Sequence, residues 1–433
     1  MLAARYRGTC WKDVSAAGRS IWSLLAPIPV LVGFVGFLGI VLGHRIYLGN
    51  DSAQSYGHVW FIADSLFSGH GIPLHIPNLA LGRAFTFPYA TIPWLPTALV
   101  WPILGDWAVT ASLVLGVVLL IVGVARWLPR TTSPLVLGMT LVNWQLWNSV
   151  LQFQLPTIWA LALAALAAAE FDRSHPLRGA MLATAALFAH PLMGATGLAL
   201  TLLARVESTH RVPFSRAMWL AVAALVALPA IWTFVHLPSI GQVPLWHWET
   251  PTQILLQRSS MLWWPWVAQR VFPYTWRVYV PLMLILTLLL VRNFAGSNPQ
   301  SARWHSLSRF PDFMAAGRLD PAASYRVLTM SNQEDGMVQL LQAGAMLAQD
   351  FFDESIDRVS FGNADAYRCF LELRGANHVL VNAEWIRRGH TDEVQLLDTL
   401  VQQGRAELVY RGTAGTLDYA IAPLATDACG ASR

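Results

Sequence analysis

WAVTASLVLGVVLLIVGVA, residues 107–125, holds no charged side chain over its whole length. As a helix rising 1.5 Å per residue it would cross the roughly 30 Å hydrocarbon layer of a membrane. Similar apolar runs lie at 21–43, 133–150, 155–171, 217–236 and 271–291, and residues 179–204 read as two short spans meeting at His190-Pro191, since proline breaks a single helix there. The fold class expected is therefore an α-helical polytopic membrane protein of about eight spans. The stretch TIPWLPTALVWPIL (91–104) carries Pro93, Pro96 and Pro102 and is too short to span, so it reads as an interfacial or re-entrant segment.

Composition agrees. Of 433 residues 55% are hydrophobic and 12% charged, with 20 tryptophans and a mean hydropathy of +0.44. That balance excludes a secreted disulfide scaffold, a disordered chain and a simple cytosolic enzyme. Arginines are scattered between apolar runs rather than gathered in a stripe, so nucleic acid is excluded as a partner. Charge divides the chain in two: residues 1–294 carry 17 Lys/Arg and 8 Asp/Glu, and the remainder carries 12 and 17. This sets a transmembrane domain (1–294) apart from a linker (295–319, polar in NFAGSNPQSARWHSLSR) and a small soluble α/β domain (320–433). In the latter, 325–330, 378–382, 406–411 and 416–422 read as strands and 336–350 and 391–403 as helices. Val327, Leu328, Val379, Leu380, Val381, Leu408, Val409, Tyr419 and Ile421 are expected on the inner side of its sheet, covered by Leu396, Leu397 and Leu400. Cys10, Cys369 and Cys429 match no metal or redox spacing, and a Cys369–Cys429 bridge requires an oxidising compartment.

With the basic N-terminus (MLAARYRGTCWK) inside, twelve Lys/Arg fall on the inner side and five on the outer, the asymmetry of a multi-pass protein of a bacterial inner (cytoplasmic) membrane. Two outer segments follow, 44–106 and 237–270. In the first, HVWFIADSLFSG (58–69) places Val59, Ile62, Ala63, Leu66 and Phe67 opposite Asp64, Ser65 and Ser68, which predicts an amphipathic helix at the outer interface. A partly buried connecting helix is its plainer reading.

Candidate chemistry gathers on that side. Asp51 stands at the lip of the first span, where a carboxylate takes a proton from a hydroxyl or binds a divalent cation, although beside Asn50 it also reads as a turn acid. His44, His58, His70 and His75 match no zinc signature. His190 is either a rim functional group or a satisfier of carbonyls freed by Pro191. Asn143, Gln145, Asn148, Gln152 and Gln154 could bind sugar hydroxyls or merely cap a hairpin at headgroup level. Trp246, His247, Trp248 and Glu249 bring aromatic rings and an acid together, and Arg45 and Arg83 suit a phosphate or a lipid headgroup.

The order of Asp51, SLFSGHGIPLHIP (65–77), LGRAFTFPYATIPWLPTALVWPILGDW (81–107), FAHPLMGATGLAL (188–200) and a tail running HVLVNAEWIRRGHTDEVQLLDTLVQQGRAELVYRG (378–412) resembles the C-type (GT-C) superfamily of polytopic membrane glycosyltransferases. Within it the chain is most similar to the branch labelled membrane proteins with a 6-pyruvoyl-tetrahydropterin synthase-related domain. The resemblance implies sugar transfer from a polyprenyl-phosphate donor at the outer face of the membrane. Asp51 would be the catalytic acid, Arg45 or Arg83 would hold the phosphate, and His58, Asp64, His190 and Glu249 would line the substrate pocket. Partners implied are membrane lipid and envelope-assembly proteins, and a divalent cation, if one is used, would sit on Asp51. The rival expectation is a non-catalytic membrane component of envelope polysaccharide assembly.

Overall fold

The computed structural model describes residues 51–82, 84–85, 89–128, 143–210, 214–236, 250–268, 285, 310–328, 335–351, 361–387 and 392–423. Within these the chain is mostly helical, with a mixed five-stranded sheet near the C-terminus. The helices are α1 (Ser52–Phe67), α2 (Thr91–Leu104), α3 (Trp107–Trp127), α4 (Trp144–Leu151), α5 (Leu155–Asp172), α6 (Pro176–Ala189), α7 (Pro191–Thr209), α8 (Phe214–Val226) and α9 (Leu228–Val235). A two-stranded ribbon, β1 (His75–Ile76) and β2 (Ala84–Phe85), lies between α1 and α2.

Among the described residues two helices, α3 and α5, are long and apolar enough to cross a membrane, and α8 with α9, bent by 58° at their junction, make a third if the pair is one span. Of the other expected spans, 21–43 and nearly all of 271–291 lie outside the described residues, and 133–150 is described only from Asn143.

Small residues let α3 and α5 pack closely and in parallel. A side chain on Gly116 would meet Trp159, and one on Gly123 would sit 2.9 Å from the Ala162 carbonyl oxygen. The α5 sequence is rich in alanine and buried on all sides, as expected of a central helix. Its 18 residues span about 27 Å and separate two polar ends. At the far end Asp172 receives Arg205 at 3.6 Å and Arg216 at 3.3 Å, and Arg216 reaches Thr201 of α7 at 3.2 Å. At the near end the Asp51 N–H donates to the Gln152 carbonyl over 2.8 Å, and Tyr56 bonds Thr110, at the start of α3, over 2.9 Å.

The break expected at His190 is present: α6 ends there and α7 begins at Pro191. The two helices fold tightly on each other because Gly194 has no side chain; a Cβ there would lie 2.5 Å from the Ala186 carbonyl oxygen. After α9, a π-helical turn (Gln253–Arg258) leads into helical residues 260–268. Leu262 of this segment packs on Gly197, beside Leu161 and Ala164, roughly 10 Å along α5 from its start. The segment thus runs from the near rim into the helical bundle.

Helix α1 differs from the expected interfacial helix. Residues Ser52–Val59 are buried on every side, whereas Phe67, assigned to the apolar face, is 59% exposed. The cause is the C-terminal region, which docks onto α1 and the segment behind it.

That region contains α10 (Pro311–Ala315), β3 (Ser324–Leu328), α11 (Asp335–Gln342), β4 (Met346–Leu347), α12 (Ala364–Arg374), β5 (His378–Val381), α13 (Ala383–Arg387), α14 (Asp392–Gln402), β6 (Ala406–Arg411) and β7 (Leu417–Ile421). The strand order is β4-β3-β5-β7-β6, parallel among the first three and antiparallel beyond. The expected helix over 336–350 stops early because Gly344, at φ +87°, turns the chain into β4.

Both faces of the sheet are buried, so neighbouring residues along a strand serve different cores. Tyr325, Val327 and Leu380 join Met337, Val338 and Leu341 in one continuous core with the membrane helices. Leu328, Val379, Val381 and Tyr419 pack with Leu371, Leu397 and Leu400 in a second. Val409, expected inside, is 42% exposed on the edge strand β6. The docking is intimate: a Cβ on Gly57 would lie 2.6 Å from the Phe351 ring. Backbone bonds join Leu347 to Asn78 (2.9 Å) and Ala80 to Gln349 (3.3 Å). Cys369, on α12, is disulfide-bonded.

Candidate functional site

The near end of α5 is shaped by the turn joining it to α4. Asn143 caps α4 by accepting the Gln145 N–H at 2.8 Å. Phe153 then takes φ +59°, the left-handed region that ordinary side chains avoid. Packing of its buried ring on Tyr56, centroids 5.6 Å apart, and the Gln154 N–H to Ser149 carbonyl bond at 2.8 Å hold that conformation. The turn leaves Gln152 and Gln154 side by side, the Gln154 amide donating to Gln152 Oε1 at 2.8 Å. Ser149 also donates to Gln154 Oε1, at 3.0 Å.

Into these amide oxygens comes Arg258. Its Nη1 donates to Gln152 Oε1 at 3.2 Å and to Gln154 Oε1, while the neighbouring Ser260 donates to Asn143 at 3.3 Å. Asp51 is tied to the same turn by its own N–H. Of the expected amides, Gln152 and Gln154 bond each other and both accept from the Arg258 guanidinium.

His190 joins this end through the apex of the α6/α7 pair. Its Nδ1 accepts the Met193 N–H at 3.4 Å, its ring lies 5.9 Å from Tyr89 and 5.3 Å from Phe234, and it is within electrostatic reach of Arg258. His190 thus caps α7 by accepting an N–H.

His58 is fully buried. It stacks on Trp94 with centroids 4.2 Å apart and bonds the Gln54 carbonyl at 2.8 Å through Nδ1. Trp94 in turn meets Tyr89 edge-on at 5.9 Å, so a chain of rings connects His58 to His190. Asp64 is exposed and stands thirteen residues along α1 from Asp51, about 20 Å away along the helix axis. The structure does not bring these two acids together. Arg45, Arg83 and Glu249, with Trp246, His247 and Trp248, lie outside the described residues.

Among the described residues no three His, Cys, Asp or Glu side chains are grouped to hold a metal ion. Arg258 was not singled out from the sequence, where it is one outer-loop arginine among several; the tertiary approach of residue 258 to the 152–154 turn is what reveals it. Compared with family models, curated proteins and solved structures, the chain matches none.

Proposed function

We propose that the chain is a membrane glycosyltransferase that moves a sugar from a polyprenyl-phosphate donor at the outer face of a bacterial inner membrane. The observation that carries this reading is that the Asp51 main-chain N–H and the Arg258 guanidinium both bond one turn, Gln152–Gln154, at the end of a membrane-length helix. A lipid-linked donor presents its phosphate at that depth, with its sugar beyond it. The Asp51 carboxylate takes the proton of an acceptor hydroxyl, whose oxygen attacks the anomeric carbon. The bond from that carbon to the phosphate oxygen breaks, and the electron pair leaves with the phosphate, whose charge Arg258 stabilises. Arg258 takes the part that the resemblance implied for Arg45 or Arg83.

The fold also bears on topology. Docking of the C-terminal region on α1 requires both to be on one side of the membrane, and so an even number of crossings between them. Eight spans in all would leave seven after the first, an odd number. Residues 260–268, about 14 Å of helix entering the bundle beside Gly197, are too short to cross alone; the reading keeps the C-terminal region outside, which takes one crossing more or one fewer than eight spans give. The disulfide at Cys369 suits an oxidising outer compartment.

Complementation tests the catalytic reading. In a strain lacking the protein, Asp51→Asn preserves size and removes the base, so it should be expressed normally and fail to restore the envelope phenotype. Full complementation by Asp51→Asn would favour the non-catalytic assembly component instead.

A further inference from the structure

Helix α1 carries a polar stripe of which the chemistry above uses only Asp51. At 100° per residue, Asp51, Gln54, Ser55 and His58 fall within about a 100° arc of the helix. This arc faces α2, because the His58 ring lies flat on Trp94. Gln54 and Ser55 are 8% and 1% exposed and Trp94 is 0% exposed. Yet Gln54 Nε2, Ser55 Oγ and Trp94 Nε1 have no hydrogen-bond partner among the described residues. Each such group forfeits its hydration on folding and gains nothing from the protein in return, which in native proteins marks a place where something else supplies the bond.

The chemistry of the three groups defines what that is. An amide N–H, an indole N–H and a hydroxyl are all neutral, so they offer no counter-charge to a phosphate or an ammonium. Two donors and one group that both donates and accepts match the hydroxyls of a sugar ring. We infer that Gln54, Ser55 and Trp94 bind the ring hydroxyls of the transferred sugar, with Asp51 at the head of the same stripe. This rests on the transfer reading and adds to it the residues that select the sugar: the phosphate is held at the 152–154 turn, the ring along α1.

The test uses the purified full chain in lipid nanodiscs, titrated with farnesyl phosphate and with a panel of farnesyl-phosphoryl hexoses and pentoses. Trp94→Phe keeps an aromatic ring against His58 while removing the N–H and part of the indole, and Gln54→Leu roughly keeps size and removes the amide. Wild type should bind at least one sugar conjugate about tenfold or more tightly than farnesyl phosphate. Each variant should lose most of that gain while its affinity for farnesyl phosphate stays within about twofold. If Trp94→Phe does not fold, Gln54→Leu with Ser55→Ala carries the same comparison. Variants that keep the full sugar-dependent gain would show that only ordered water fills the stripe, and would overturn this inference alone. Failure of wild type to bind any probe would overturn the transfer reading and the inference together.

Discussion

Asp51 donates its main-chain N–H to the carbonyl of Gln152 over 2.8 Å, pinning the start of α1 to the turn that opens α5. The bond fixes a carboxylate at the end of a helix whose other end, about 27 Å away, is marked by Asp172 with Arg205 and Arg216. The C-terminal region touches α1 and the segment after it through Phe351 on Gly57 and Leu347 on Asn78.

Membrane sidedness follows directly. Single cysteines replacing His70, Gln403 and Ser208, all exposed, should divide into two classes when intact cells are treated with a membrane-impermeant maleimide. Positions 70 and 403 should label together, and position 208, beyond the Asp172 end of α7, should stay protected until the cells are opened. Opposite behaviour of 70 and 403 would break the docking of the C-terminal region onto α1.

Arg258 holds two amide oxygens through one nitrogen. Removing a charged donor from partly buried acceptors costs about 1.5–3 kcal/mol. Arg258→Ala should therefore lower the melting temperature of the purified protein by several degrees, and Arg258→Lys, which keeps a charged nitrogen, by less. Identical melting of all three proteins would mean that the rim does not depend on this contact.

In the C-terminal region Arg326 makes a two-pronged pair with Glu393, Nη2 to Oε1 at 2.8 Å and Nε to Oε2 at 3.1 Å, with both residues buried. Burial works against the arginine's charge, but Glu393 beside it outweighs that and holds its pKa above the ordinary value. Arg326→Met strands a buried carboxylate and should destabilise by about 3–5 kcal/mol. Arg326→Met with Glu393→Leu should recover most of the loss, read by thermal unfolding. A double variant as unstable as the single one would show that packing around Phe370, 5.3 Å from the guanidinium, matters more than the charge.

What the sequence made legible depended on how local the determinant was. The strands near 325, 378, 406 and 417 announce themselves through β-branched and aromatic runs, and the break at His190 through the proline after it. Helix α12 was missed because ADAYRCFLELR has no clean apolar period, and β4 because two residues carry no pattern. The two-faced burial of the sheet escaped notice because α1, one of its covers, comes from a distant part of the chain. Asp51 and His190 could be picked from their positions beside apolar runs. The partnership of Arg258 with Gln152 and Gln154 could not, since it exists only once three separate segments meet.

Sugar transfer itself is measured by the release of polyprenyl phosphate. Purified protein in nanodiscs would be given a panel of polyprenyl-phosphate-linked hexoses and pentoses with an envelope polysaccharide extract as acceptor, and the freed lipid phosphate followed by mass spectrometry. Wild type should release polyprenyl phosphate from at least one donor, with that donor's sugar appearing in the polysaccharide, and Asp51→Asn should reduce the rate by about 10²-fold or more. Release at equal rates by wild type and Asp51→Asn, or by neither with any donor, would contradict a catalytic role for this site.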